Sequence, residues 1–190
     1  MTTRYVAFLR AINVGGHTVR MEELRRLFTL MGMKEVETFI ASGNVIFVAG
    51  RKKPAELECA IEVRLEKALG FPVGVFLRTI PEVAQVAARM PFPESDLVSG
   101  ATVFVGFLKN VPPDGTLRAL ADFRSAAAEF SIRGREIYWL RRRSGEVFSG
   151  VRLEKTLGGV TFRNMTTIRK IAARYSEAPA KAEGEGRQQR

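Results

Sequence analysis

Five residues near the start of the chain, Tyr5-Val6-Ala7-Phe8-Leu9, limit its fold more than any other feature. All five are apolar, so the run read as a β-strand is apolar on both faces. Such a strand is central in its sheet and covered on both sides. It leads into Leu9-Arg10-Ala11-Ile12-Asn13-Val14-Gly15-Gly16-His17, a turn that carries a guanidinium, a carboxamide and two glycines. Turns of this kind are where α/β and α+β proteins place ligand-binding backbone.

The next elements follow from periodicity. Leu24, Leu27, Phe28 and Met31 form one helical stripe, with Glu22 and Glu23 in the first turn and Gly32 as the stop. Two short strands within 36–48 flank Ala41-Ser42-Gly43-Asn44. Pro54 opens a second helix striped by Leu57, Ile61, Leu65 and Leu69, ended by Gly70 and Pro72. Val73–Leu77 is a further strand. The first eighty residues therefore predict an α+β unit of ferredoxin-like order, β-α-β-β-α-β.

After a linking helix over 81–90 and the breaker Pro91-Phe92-Pro93, the grammar returns. A strand over 101–109 precedes a helix capped by Asp114, then two strands turn at Arg133-Gly134. A short helix over 151–157 ends at Gly158-Gly159, and Thr161-Phe162-Arg163-Asn164 leads into a last helix with Ile168, Ala172 and Tyr175 on one face. The second half reads β-α-β-β-α(-α). Phe8-Leu9-Arg10 aligns with Phe107-Leu108-Lys109 at an offset of 99, and Ser42-Gly43-Asn44 with Arg133-Gly134-Arg135 at 91, which suggests an internal duplication. The expected organisation is 1–80, a link over 81–100, a second α+β unit over 101–175, and a tail over 176–190. The tail has no large apolar side chain and is expected to be disordered.

No apolar run nears the ~20 residues of a membrane span. A single cysteine, Cys59, allows no intrachain disulfide, so a cytoplasmic protein is expected. The net charge of +10 sits mainly in residues 129–175, around Arg133, Arg135 and Arg141-Arg142-Arg143. It fits an anion or nucleic-acid footprint, and a compositional bias accounts for it without any ligand, since arginines outnumber lysines 22 to 8.

In the split order 4-1-3-2 the first strand ends beside the second hairpin turn. Arg10, Asn13, Gly15 and Gly16 should then lie next to Ser42, Gly43 and Asn44. Glycines let backbone amides approach a ligand, Ser and Asn add neutral donors, and Arg10 offers a planar fork for carboxylate or phosphate. Each piece also has a plain structural reading. The glycines fit a loop of positive φ, Ser42-Gly43-Asn44 fits a hairpin turn, and Arg10 fits an ion pair with a neighbour such as Glu37. Asn164 fits a helix cap, His17 a solvated loop and Cys59 a packing position.

Phe8–Gly16, Met21-Glu22-Glu23-Leu24 and Phe39–Phe47 resemble the N-terminal signature of the domain-of-unknown-function 1697 family. Leu153-Glu154-Lys155 with Thr161–Thr167 resembles its C-terminal signature. Ala11, Ala41 and Met165 stand where a glycine, a glutamine and an aromatic are common. The resemblance implies a bacterial-type α+β protein with no assigned activity, and adds Lys155, Thr161, Arg163 and Asn164 as a second motif. Together these residues predict a cleft between two halves that binds a small phosphate- or carboxylate-bearing ligand. An enzyme using Lys155 and Arg10 in that cleft is a second expectation, and nucleic-acid binding by the 133–143 hairpin a third. No cofactor fingerprint or metal-ligand spacing is present, and oligomeric state is not legible.

Overall fold

The computed structural model describes residues 2–13, 16–50, 52–97, 100–142, 153 and 156–176. The protein is α+β, with two four-stranded antiparallel sheets and five α-helices among the described residues. The first sheet contains β1 (Thr2–Leu9), β2 (Lys34–Thr38), β3 (Asn44–Gly50) and β4 (Val75–Thr79), in the order β2-β3-β1-β4. Helices α1 (Met21–Leu30) and α2 (Pro54–Leu69) cover one face of it.

The doubly apolar β1 is central because both of its faces are buried. Tyr5, Ala7 and Leu9 pack with Leu24 and Phe28 of α1 and Leu57, Ile61 and Leu65 of α2. Val6 and Phe8 point the other way, into a core shared with the second half of the chain. Gly70 closes α2 in the left-handed conformation, at φ 79°.

The second sheet holds β5 (Thr102–Phe107), β6 (Ala128–Arg133), β7 (Glu136–Arg141) and β8 (Thr161–Asn164), in the order β6-β7-β5-β8. Helix α3 (Ile80–Ala88) precedes this sheet, α4 (Asp114–Ala121) joins β5 to β6, and α5 (Met165–Ser176) follows β8. The strand β8 corrects the expected β-α-β-β-α(-α) pattern. Its four residues pair with β5 from Phe107↔Thr161 to Phe104↔Asn164. Two of them, Thr161 and Arg163, are polar yet buried, so the segment shows no apolar alternation by which to recognise a strand. Of the expected 151–157 helix, Leu153, Thr156 and Leu157 are helical and the remainder lies outside the described residues. Residues 177–190 of the expected tail do too, and Ser176 ends α5.

The link after the first unit is a structural element in its own right. Ile80, Val83 and Val86 of α3 meet Ile168, Ile171 and Tyr175 of α5 in the core shared by the sheets. Thr79 closes a reciprocal capping box with Glu82, which starts α3 directly at the end of β4. At the centre the Phe8 and Phe107 rings stack with centroids 4.0 Å apart and planes 5° from parallel. Each ring stands on the central strand of its own sheet. No helix among the described residues is long and apolar enough to cross a membrane.

Gly106, beside Phe107 on β5, has no room for a side chain: a Cβ there would lie 2.6 Å from Phe162 Cε1 and 2.8 Å from Val160 Cγ2. Gly106→Ala is expected to lower stability by about 1–3 kcal/mol through overpacking, read as a fall in the urea midpoint at unchanged slope.

Candidate functional site

The turn after β1 is held by its own asparagine. Asn13 Nδ2 donates to Ala41 O at 2.7 Å, and Asn13 Oδ1 accepts from Val19 N at 2.8 Å, so both ends of the amide are taken by backbone. Ala11 (φ 67°) and Asn13 (φ 56°) are left-handed, which explains why a glycine suits position 11. Leu9 N donates to Gly43 O at 2.8 Å, and a Cβ on Gly43 would come within 3.1 Å of Ile12 Cβ. The 10–13 turn and the 41–44 turn therefore meet, with glycine required at 43 for the close approach. Arg10 N donates to Gly74 O at 2.7 Å, and its exposed side chain passes Gly74 to bring Nη1 to 4.0 Å from the Cβ position of Gly159. Gly16 is exposed. Gly15 and Lys155 lie outside the described residues.

Below this lip two arginines are buried on the seam between the halves. Arg163 of β8 is 8% exposed and reaches into the first half. Its Nε donates to Asn44 Oδ1 (2.6 Å) and Nη2 to Leu9 O (2.7 Å) and Gly43 O (3.4 Å). Nη1 donates to Thr161 Oγ1 and Phe162 O, both at 2.8 Å. All five donors are used, and no acceptor among them is a carboxylate. Asn44, fully buried, donates from Nδ2 to Phe39 O and Ser42 Oγ, which aims its oxygen at the guanidinium. Burial lowers the Arg163 pKa to about 10.

Arg78 of β4 makes the reverse reach. Its Nε donates to Glu136 Oε1 (2.7 Å), Nη2 to Leu108 O (2.9 Å) and Arg135 O (3.2 Å), and Nη1 to Leu77 O (2.7 Å). Burial lowers its pKa too, and Glu136 opposes that shift. The two sets of contacts correspond at Nε, at Nη2 and at the preceding carbonyl, and Arg163 adds a bond from Nη1 to Thr161 Oγ1. Arg78 stands opposite Val6 on β1 and Arg163 opposite Val105 on β5. Arg78 lies over the Phe107 ring (5.3 Å) and Arg163 over the Phe8 ring (5.9 Å). Asn44 thus corresponds to Glu136, one residue beyond the position aligned from sequence. The one chemical difference at Nε is an amide in one place and a carboxylate in the other.

The seam carries a cavity of about 240 Å³, lined by Phe76 from the first half and by Leu108, Lys109, Asn110, Thr116 and Gly158–Gly159 from the second. A second cavity of about 620 Å³ adjoins Arg10 but is walled by Glu62 and Glu66. Glu62 accepts from Val75 N (2.8 Å) and from Lys109 Nζ (2.6 Å), while Glu58 accepts from Leu77 N (2.7 Å). The two carboxylates thereby cap the open edge of β4. Burial raises the Glu58 pKa against the pull of the Leu77 amide. Among the described residues no cluster of His, Cys, Asp and Glu is arranged to hold a metal.

Residues 1–138 match the model of a family described as "Protein of unknown function (DUF1697)". The chain belongs to this family. No curated protein matches it. Among solved structures it is similar to the conserved bacterial protein SP0830 from Streptococcus pneumoniae, at 24% identity and a TM-score of 0.69, over 91% of this chain and 98% of that one. That likeness concerns the fold.

In this DUF1697 chain, the family match covers the 10–16 and 41–44 turns and Arg78, and stops before Thr161, Arg163 and Asn164. The C-terminal motif is divided in its work. Thr161 and Arg163 enter the seam, whereas Asn164 Oδ1 accepts from Thr166 N (2.8 Å) at the start of α5. Glu37 bonds Arg174 Nη2 (2.7 Å) and Tyr175 OH (2.9 Å) of α5 rather than Arg10. Burial, with the Glu37 carboxylate beside it, pushes the Tyr175 hydroxyl up to about 12. His17 stacks on Phe71 with centroids 4.0 Å apart, and Cys59 is exposed. Sequence reasoning missed Arg78, Glu136 and Glu58. The available signal was a lone arginine inside the apolar run Val75-Phe76-Leu77-Arg78-Thr79, which is costly unless acceptors await it.

Arg163→Lys keeps the charge but gives three donors on one nitrogen, which cannot reach acceptors arranged around a planar fork. It is expected to cost about 2–4 kcal/mol, measured by urea unfolding at neutral pH.

Proposed function

We propose that this protein binds a small anionic ligand, carrying phosphate or carboxylate, in the cleft between its two halves. The observation that carries this reading is Arg163, a buried guanidinium whose five hydrogen bonds all end on neutral oxygens. Its charge is felt at long range because the surroundings are of low dielectric. The cavity of about 240 Å³ lies on the same seam: Leu108, whose carbonyl accepts from Arg78, lines it, as do Gly158 and Gly159, five and four residues ahead of Arg163 on the chain that leads into β8. Direct contact with the ligand falls to the cavity lining: Lys109, which a ligand would share with Glu62, the Asn110 amide, the Thr116 hydroxyl and the glycine backbone, with Arg10 Nη1 beside Gly159. Arg163 acts by its field, because no donor remains on it for a ligand.

The basic hairpin supports nucleic-acid binding less well. Arg135 is paired with Glu82, Arg142 with Asp96 and Glu129, and Arg141 lies over the Phe104 ring. Arg143 is outside the described residues. We also infer that the halves descend from one duplicated ferredoxin-like unit. Supporting this are the matched strand orders and the correspondence of Phe8, Leu9 and Arg78 with Phe107, Leu108 and Arg163. A cytoplasmic location accords with the lone, exposed Cys59.

The test is thermal unfolding with inorganic phosphate or citrate against chloride at equal ionic strength. Either anion should raise the midpoint by about 2–5 °C at millimolar concentration, and Lys109→Ala should lose most of the gain. Equal midpoints in all three salts would reject the reading.

A further inference from the structure

The seam is charge-balanced at one end and not at the other. Around Arg78, among the described residues, three cations each meet an anion: Arg78 meets Glu136, Arg135 meets Glu82, and Lys109 meets Glu62. Burial opposes the ionised form of Glu82, yet the Thr79 amide and hydroxyl and the Arg135 guanidinium hold its carboxyl below the usual range, so that pair stays charged at neutral pH. Around Arg163 the corresponding acceptor is Asn44 Oδ1, an amide oxygen at 2.6 Å that supplies hydrogen-bond geometry without a negative charge. The carbonyl contacts of the two arginines correspond, and the one bond Arg163 adds goes to the Thr161 hydroxyl, which is neutral, so the difference in charge lies at Nε.

We propose that Asn44 is the specificity-determining residue of the cleft: by withholding the carboxylate that Glu136 supplies at the matching place, it leaves one positive charge unneutralised and selects anions over neutral ligands. This rests on the anion-binding reading above and deepens it. Asn44 does not touch the ligand. It positions Arg163 and leaves that cation's field on the seam cavity uncancelled, whereas Glu136 cancels the field of Arg78. Exchanging the two chemistries one at a time should move affinity in opposite directions, which a purely structural role would not do.

The experiment is calorimetric titration of the full chain with inorganic phosphate at fixed ionic strength, comparing wild type, Asn44→Asp and Glu136→Gln. Asn44→Asp is expected to weaken binding about tenfold, the scale of one added unit charge acting through the protein at an effective dielectric near 20. Glu136→Gln is expected to tighten binding by a similar factor. Phosphate binding by wild type with the same affinity in both variants overturns this inference and leaves the anion-binding reading standing. Absence of binding in wild type overturns both. Should Asn44→Asp not fold, because its carboxylate faces Phe39 O where an amide had donated, Glu136→Gln decides alone: unchanged or weaker binding refutes the proposal.

Discussion

A guanidinium taken out of water must find an acceptor for nearly every N–H it carries, and this requirement organises the molecule. Neither buried arginine can satisfy it within its own half. Arg163 needs Leu9 O, Gly43 O and Asn44 from the first half, and Arg78 needs Leu108 O, Arg135 O and Glu136 from the second. Separating the halves would strand two charges and six acceptors in surfaces built for burial, at several kcal/mol per ion. The Phe8–Phe107 stack adds apolar area between the same two strands, and each ring lies under the arginine of the opposite half. Two sheets held in this way behave as one body.

The same constraint places the cleft. The acceptors for Arg163 come from the end of β1 and the start of β3, so the turn after β1 with Arg10 and the turn before β3 with Ser42 are drawn to the seam. The chain must turn sharply at Gly158–Gly159, at φ 67° and 112°, to bring Thr161 and Arg163 into register with β5. Glycine there leaves open space beside Leu108 and Lys109, and the cavity is that space. The position of the cleft is thus a by-product of seating the two buried cations.

Periodicity carried most of the first half. An alternation-free apolar strand, two striped helices and glycine stops left little choice of order, and the adjacency of the 10–13 and 41–44 turns followed from topology. The second half was harder to read because its decisive strand, β8, is short and half polar. Thr161 and Arg163 are buried by hydrogen bonds to residues about 150 and 120 positions away, and no local pattern encodes such partners. For the same reason Arg163 and Asn164 looked alike as polar motif residues, although one crosses the seam and the other caps its own helix. Glu136 was invisible as a partner for Arg78, since only the assembled sheets bring them together. The offset of 91 read from apolar pattern paired Asn44 with Arg135, one residue short of the Glu136 that holds the matching place on Arg78. That single residue was the one that mattered, because it moves the match of Asn44 from Arg135 to Glu136.

Native-state hydrogen exchange tests most directly whether the exchanged arginines make the two sheets one cooperative body. Amides of β1 and β5, flanking Phe8 and Phe107, should show the same free energy of opening, equal to that of global unfolding from denaturant titration. Opening of one sheet at several kcal/mol below the other, with the second still protected, would contradict the account.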